Sequence, residues 1–166
     1  ASPDCPPLAE AGIRIRYNRS VIRHPSDWTQ PLKVHDRLDT RVSILKVHPG
    51  ITPEVVTVFL LAPEIRAVIL ETYGSGNAIS RPWFLALIRE AAKTKVVVNV
   101  TQCKSGTVNM DIYATGKTLK LAGVVSGQDI TTEAALGKLF VLMGLYEDNE
   151  QVKNRFGEDL IGEISK

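Results

Sequence analysis

Apolar and polar positions follow two different rhythms along this chain, and the texture changes near residue 41. Before that point only Ile13-Arg14-Ile15-Arg16-Tyr17 alternates, the period-two pattern of one half-buried strand. Three of the nine prolines precede Leu8, and the stretch from Asn18 to Thr40 reads as loop. Beyond it, RVSILKV (Arg41 to Val47) reads as a strand, HPGIT as a turn, and Pro53 to Leu61 as a short helix with proline in its first turn. RAVILET (Arg66 to Thr72) is the next strand. Between Ser80 and Lys93, Phe84, Leu87, Ile88 and Ala91 fall at i, i+3, i+4 and i+7, which predicts an amphipathic helix that Ser80 caps and Pro82 opens. KVVVNV (Lys95 to Val100) has the valine run of a strand covered on both faces. The polar loop TQCKSGTVNMD leads to a helix over Tyr113 to Leu121, against which Gly116 counts, and AGVVSG then supplies a short strand. Leu136, Leu139, Phe140 and Met143 share one face of a longer helix capped by Asp129 or Thr131. A last helix, Asn149 to Phe156, stops at Gly157.

Strands alternate with helices long enough to return the chain to the same edge of a sheet, the signature of right-handed crossovers between parallel strands. The expected fold is a three-layer α/β/α domain with a mainly parallel sheet of about four strands. Residues 1–40 are expected to be a leading segment and linker, and 41–166 the core domain.

Composition narrows the function classes. A chain of 166 residues fits one domain, and 44% hydrophobic with 23% charged residues is an ordinary globular balance. A net charge of +2, with basic residues scattered among acids, gives no basic stripe for nucleic acid. No apolar run reaches the length of a membrane span, and ASPDCPPLAE lacks a basic start followed by an apolar stretch. Two cysteines in unlike contexts, Cys5 and Cys103, suit a reducing compartment, so a soluble cytoplasmic protein is expected. The Asn18-Arg19-Ser20 sequon carries no weight in that setting.

In an open parallel sheet, ligands bind beyond the carboxyl ends of the strands, where loops converge and helix N-termini offer unpaired N–H groups. Three loops belong to that edge: Thr72 to Asn77, Thr101 to Gly106, and Ser126 to Asp129. All are dense in hydroxyls, amides and glycine, groups that hydrogen-bond a small polar ligand while the backbone approaches closely. The glycines serve equally well as plain strand-to-helix turns. Gly74-Ser75-Gly76 lacks the third glycine of a dinucleotide fingerprint, since Ala78, Ile79 and Ser80 follow Asn77. His24, His35 and His48 lie far upstream of Cys103 without a pairing signature, so Cys103 reads as a small buried thiol. Glu71 reads as a strand-end or interface charge, Glu133 as a favourable acid in a first helical turn, and Trp28 and Trp83 as packing residues. There is no metal-ligand spacing, no closely spaced carboxylate pair and no nucleophile with base and orienting group. The chain reads as half a site.

ETYGSGNA (Glu71 to Ala78), VVNVTQCKSGTVNMDIYATG (Val97 to Gly116), LAGVVSGQDITTEAALGKL (Leu121 to Leu139) and DLIGEIS (Asp159 to Ser165) together resemble the C-terminal domain of L-asparaginases of the cytosolic type I class. SPDCPPLAEAG resembles the passage from that family's N-terminal domain into its linker. The resemblance implies a Rossmann-like domain of an amidohydrolase that converts L-asparagine and water to L-aspartate and ammonia, without metal or cofactor. The family's nucleophilic threonine lies in Thr-Gly-Gly-Thr and a second threonine in Gly-Thr-Asp-Thr, both in the N-terminal domain; neither stretch occurs here. No catalytic residue is therefore expected in this chain, and alone it should be silent. The resemblance further implies a homo-oligomer, dimer or tetramer, in which Asn77 reaches across to the neighbouring site. Secreted type II relatives carry a second asparagine and a glutamate where Ile79 and Tyr113 stand, making Tyr113 a weaker substrate-binding candidate. Some bacterial members bind asparagine at an effector pocket, to which Thr101, Gln102, Cys103 and Tyr73 would correspond. Glu71 stands where those members carry arginine, so such a pocket would recognise its ligand differently. The competing reading is a non-catalytic amino-acid-binding or oligomerisation module.

Overall fold

Val96, Val97, Val98 and Val100 are fully buried, and they lie at the centre of the molecule because a strand with helices on both faces has no solvent side. The computed structural model describes residues 6–22, 31 and 33–165. Along the chain these form β1 (Ala9–Ala11), β2 (Ile15–Tyr17), β3 (Val42–Lys46), α1 (Pro53–Leu61), β4 (Ala67–Thr72), α2 (Pro82–Ala92), β5 (Val96–Thr101), α3 (Ala114–Leu121), β6 (Val125–Ser126), α4 (Thr132–Leu145) and α5 (Asn149–Phe156).

The main sheet has the order β3-β4-β5-β6 with every pairing parallel. Each strand is laid beside its predecessor, so α1, α2 and α3 return over one face, leaving the other to α4 and α5. The pleat divides the core accordingly. Val68, Leu70 and Val97 point into a cluster with Phe84, Ile88 and Leu119, whereas Ile69, Val98 and Val100 point into one with Leu139, Met143 and Phe156. This is the expected three-layer arrangement.

Local expectations are corrected in four places. The alternating run at Ile13 to Tyr17 is not a lone half-buried strand: β2 pairs antiparallel with β1, Glu10 opposite Arg16, and both strands are exposed throughout. Its alternation finds no core among the described residues. The residue capping α2 is Arg81, without a side-chain bond, rather than Ser80; Pro82 does occupy the first turn. Gly116 does not break α3, because the helix packs so closely there that a Cβ would lie 2.8 Å from the Met110 carbonyl oxygen. On α4 the buried positions are Ala135, Lys138, Leu139, Leu142 and Met143, while Leu136 and Phe140 are only half-buried. That flank of α4 meets the preceding loop instead: Asp39 N–H donates to the Phe140 carbonyl, and Gly144 sits against the Arg37 carbonyl. Thr131, of the two proposed caps, accepts from Ala134 N–H at 3.2 Å.

The edge away from the loops is closed by two cations, a half-buried arginine and a buried lysine. Arg66 donates to the carbonyls of Met143, Tyr146 and Glu147 at 2.9, 2.7 and 2.6 Å, and so caps the end of α4. Lys95 Nζ does the same for α1, donating to Ala62 O and, at 2.7 Å, to Ile65 O; its burial lowers the ammonium pKa.

Candidate functional site

The loop after β4 is a narrow turn closed on itself. Tyr73 N–H donates to Asn77 O, and Asn77 N–H to Tyr73 O, both at 2.8 Å, while Gly74 and Gly76 take φ of 49° and 100°. Gly76 is fixed there by space as well as by φ: a Cβ would lie 2.7 Å from Val108 Cγ1. The Asn77 side chain, held by this turn, accepts at Oδ1 from Thr115 Oγ1 at 2.8 Å. Thr115 belongs to the first turn of α3, whose N-cap is the exposed Tyr113. Asn77 and Tyr113, named separately from the sequence, thus converge on one corner.

Beneath that corner lies Asn99, wholly buried in β5. Its Oδ1 accepts from Thr72 Oγ1 at 2.6 Å, its Nδ2 donates to Gly76 O at 3.0 Å, and its backbone oxygen accepts from Gly127 N–H at 2.7 Å. One amide therefore ties together the ends of β4, β5 and β6. From sequence alone it reads only as part of a valine strand. The available signal was the single amide inside KVVVNV, since a buried polar group in a central strand must find partners.

Thr101, Gln102 and Cys103 open a second recess on the same edge, a cavity of about 380 Å³ shared with Lys46, Glu71, Lys104 and the start of α4 from Asp129 to Glu133. Much of its polar inventory is already engaged. Thr101 Oγ1 donates to Gly74 O at 2.5 Å and accepts from Cys103 N–H, and Gln102 Nε2 donates to Val47 O and Glu71 O at 2.6 and 2.7 Å. Glu71, the expected strand-end charge, accepts from Thr132 Oγ1 at 2.7 Å and lies 3.7 Å from Lys46 Nζ. Cys103 is exposed, which corrects the buried thiol expected from sequence; it rides on a polar loop that leaves the sheet rather than on an element packed against it. No histidine lines the cavity beside it. Tyr73 is not among the lining residues either; it packs against the core cluster on the α1 and α2 side.

Trp83 packs edge-to-face on Phe84, with centroids 5.7 Å apart, as expected of a packing residue. Trp28, His24 and Cys5 lie outside the described residues. Among the described residues no three His, Cys, Asp or Glu side chains group to hold a metal ion, and no helix is long and apolar enough to cross a membrane.

Comparison with known proteins places this geometry. Residues 41–156 match the Glutaminase/Asparaginase C-terminal domain family. Across 99% of its length the chain is 42% identical to L-asparaginase 1 of Escherichia coli K12, of which it covers 48%. It is 38% identical to the mouse 60 kDa lysophospholipase over 99% of the chain and 29% of that protein. The crystal structure of L-asparaginase I from Vibrio cholerae superposes with a TM-score of 0.91 at 41% identity, over 100% of this chain and 50% of that one. The chain thus spans about half the length, or less, of these relatives. With a parallel four-stranded sheet shared at that score and the family match spanning residues 41–156, the chain belongs to the glutaminase/asparaginase C-terminal domain family.

Proposed function

We propose that this chain is the C-terminal half of an L-asparaginase and supplies Asn77 to an active site completed by an N-terminal domain. In this reading residues 1–40 are the end of that domain and its linker, and residues 41–166 form the C-terminal domain. The observation that carries it is the Asn77 turn: its backbone is closed on Tyr73, and its amide is presented where the loop after β4 meets the start of α3. The reaction is hydrolysis of the L-asparagine side-chain amide to L-aspartate and ammonia. Its threonine nucleophile belongs to the half this chain lacks, so the chain alone is inactive. Assembly is a cytoplasmic homo-oligomer, dimer or tetramer, in which Asn77 serves the neighbouring subunit's site.

A second reading is favoured by the cavity beside Thr101, Gln102 and Cys103. Its lining carries both signs, Lys46 and Lys104 with the N-terminus of α4 on one side of the balance and Glu71, Asp129 and Glu133 on the other, which suits a ligand that itself bears a carboxylate and an ammonium. This is the allosteric or amino-acid-binding module.

Ammonia release from L-asparagine tests the first reading, measured for this chain alone and joined to the N-terminal half that its relatives carry. Turnover only in the joined protein is expected, and turnover by this chain alone would overturn it. Calorimetric titration of the isolated chain with L-asparagine tests the second: saturable heat supports the effector cavity, and its absence removes it.

A further inference from the structure

We propose that Thr115 is the positioning residue that decides which end of the Asn77 amide is offered to the composite site, and that the offered end is the donor. This rests on the reading of Asn77 given above.

An asparagine amide is ambiguous by shape, since rotation about χ2 exchanges a carbonyl acceptor for an NH2 donor at almost no steric cost. Two features on α3 remove the ambiguity. The Thr115 hydroxyl donates to Asn77 Oδ1 at 2.8 Å. It is free to do so because it does not turn back on its own helix, unlike Thr118, whose hydroxyl donates to Ala114 O. The second feature is the helix end itself. The first backbone bond of α3 runs from Lys117 N–H to Tyr113 O, so the N–H groups of Ala114, Thr115 and Gly116 have no intrahelical acceptor, and Tyr113 supplies no side-chain cap. The positive end of the helix dipole favours the carbonyl oxygen facing it over the NH2 group.

With the backbone of Asn77 closed on Tyr73 and its Oδ1 held by Thr115, only Nδ2 is left, and it has no partner among the described residues. Two N–H donors then face the composite site. The group they select is an acceptor, a carboxylate oxygen, supplied either by the amino-acid ligand or by a residue of the N-terminal half. An ammonium group is not matched by this end of the amide.

Two arms test this. In the isolated chain, the side-chain 1H–15N resonances of Asn77 are compared in parent, Thr115→Val and Thr115→Ser. The valine is nearly isosteric but cannot donate, whereas serine keeps the hydroxyl. Movement of the Asn77 resonances in Thr115→Val and their retention in Thr115→Ser are expected; resonances unmoved in Thr115→Val overturn the proposal. In the joined protein, Thr115→Val is expected to raise KM for L-asparagine roughly fivefold to tenfold with kcat within about twofold, the size of one misdirected hydrogen bond. Thr115→Ser should restore the parent KM. An impaired Asn77→Ala beside an unimpaired Thr115→Val overturns the role of Thr115. An unimpaired Asn77→Ala overturns the reading of Asn77 instead, and the resonance arm then still decides the orientation. The KM penalty of Thr115→Val is also measured with the α-carboxamide analogue of asparagine. Its disappearance assigns the acceptor to the ligand's carboxylate, and its persistence assigns the acceptor to the N-terminal half.

Discussion

Thr72 and Asn99 meet side by side inside the sheet, hydroxyl to amide oxygen at 2.6 Å, both without any exposure to solvent. Their contact matters because the same amide donates from Nδ2 to Gly76 O, the carbonyl just before Asn77. The turn that carries the candidate site residue is thus suspended from the buried middle of the sheet. Asn99→Leu, close in volume, would leave the Gly76 carbonyl buried without its partner and the Thr72 hydroxyl with only the Val100 carbonyl at 3.3 Å, at a combined cost of about 2–4 kcal/mol. A thermal unfolding midpoint lowered by roughly 5–15 °C is expected for a chain of this size. A midpoint within about 2 °C of the parent would mean that this network carries no stability.

Gly74 and Gly76 both take positive φ, yet only Gly76 is hemmed in. Alanine at Gly74 meets nothing within 4 Å and bears only the left-handed backbone cost of about 1–2 kcal/mol. Alanine at Gly76 adds collision with Val108 and crowding of Asn99 Nδ2, at 2.7 and 3.1 Å, so it is expected to cost about twice as much. Denaturant melts of the two variants check the order. Equal losses would show that the loop relaxes away from Val108.

Cys103 is exposed at the mouth of the Thr101 loop. Iodoacetamide is expected to label it in the folded protein, with peptide mapping to distinguish it from Cys5. Cys103→Ser is expected to leave stability within about 0.5 kcal/mol, as for surface substitutions generally. A thiol that labels only after unfolding would return Cys103 to the core.

The layers of the fold were legible because each core element has a period that only one environment satisfies. KVVVNV has no polar face, so β5 had to be central, and the i, i+3, i+4 stripe of Phe84, Leu87 and Ile88 could only be a helix on a sheet. Periodicity says nothing about where a polar side chain sends its hydrogen bonds, however. It could not distinguish Arg81 from Ser80 as the cap of α2, nor reveal that Asn99 reaches Gly76. Nor does it mark a strand such as Ala9–Ala11, which has no β-branched or aromatic residue and exists by pairing with Ile15–Tyr17. The Asn77 loop reads as a candidate site from its residue types, whereas the Thr115 contact depends on the distance at which α3 begins from β4.

Lys138 shows the same limit, and it yields the last prediction. A lysine on an amphipathic helix is ordinarily read as solvent-facing, but Lys138 is buried on α4 and pairs with Glu163 at 2.5 Å, with its ammonium 5.1 Å from the Phe156 ring centre. Burial by itself pushes the Glu163 pKa up. The bond from Lys138 and those from the backbone N–H groups of Ile161 and Leu160 outweigh that and hold it at about 2, against an ordinary 4.5. A carboxylate depressed on folding contributes stability fully above its unfolded pKa, and the contribution is lost as pH falls from about 4.5 toward 2. Glu163→Gln leaves the buried Lys138 charge without its carboxylate, with only the Glu158 carbonyl and the Phe156 ring beside it, and is expected to cost about 3–5 kcal/mol near neutral pH. The difference between parent and variant should then shrink steadily below pH of about 4.5. Asp39, held at about 2 chiefly by its hydrogen bond from Arg41, titrates in the same window, so the difference between the two proteins, and not the parent's own acid unfolding, is the quantity to follow. Lys138→Met combined with Glu163→Leu should recover most of the loss, because no charge is then left unpaired. Urea titrations between pH 7 and 2.5 decide the matter: a difference that stays constant across the acid range would show that Glu163 is not held ionised by Lys138.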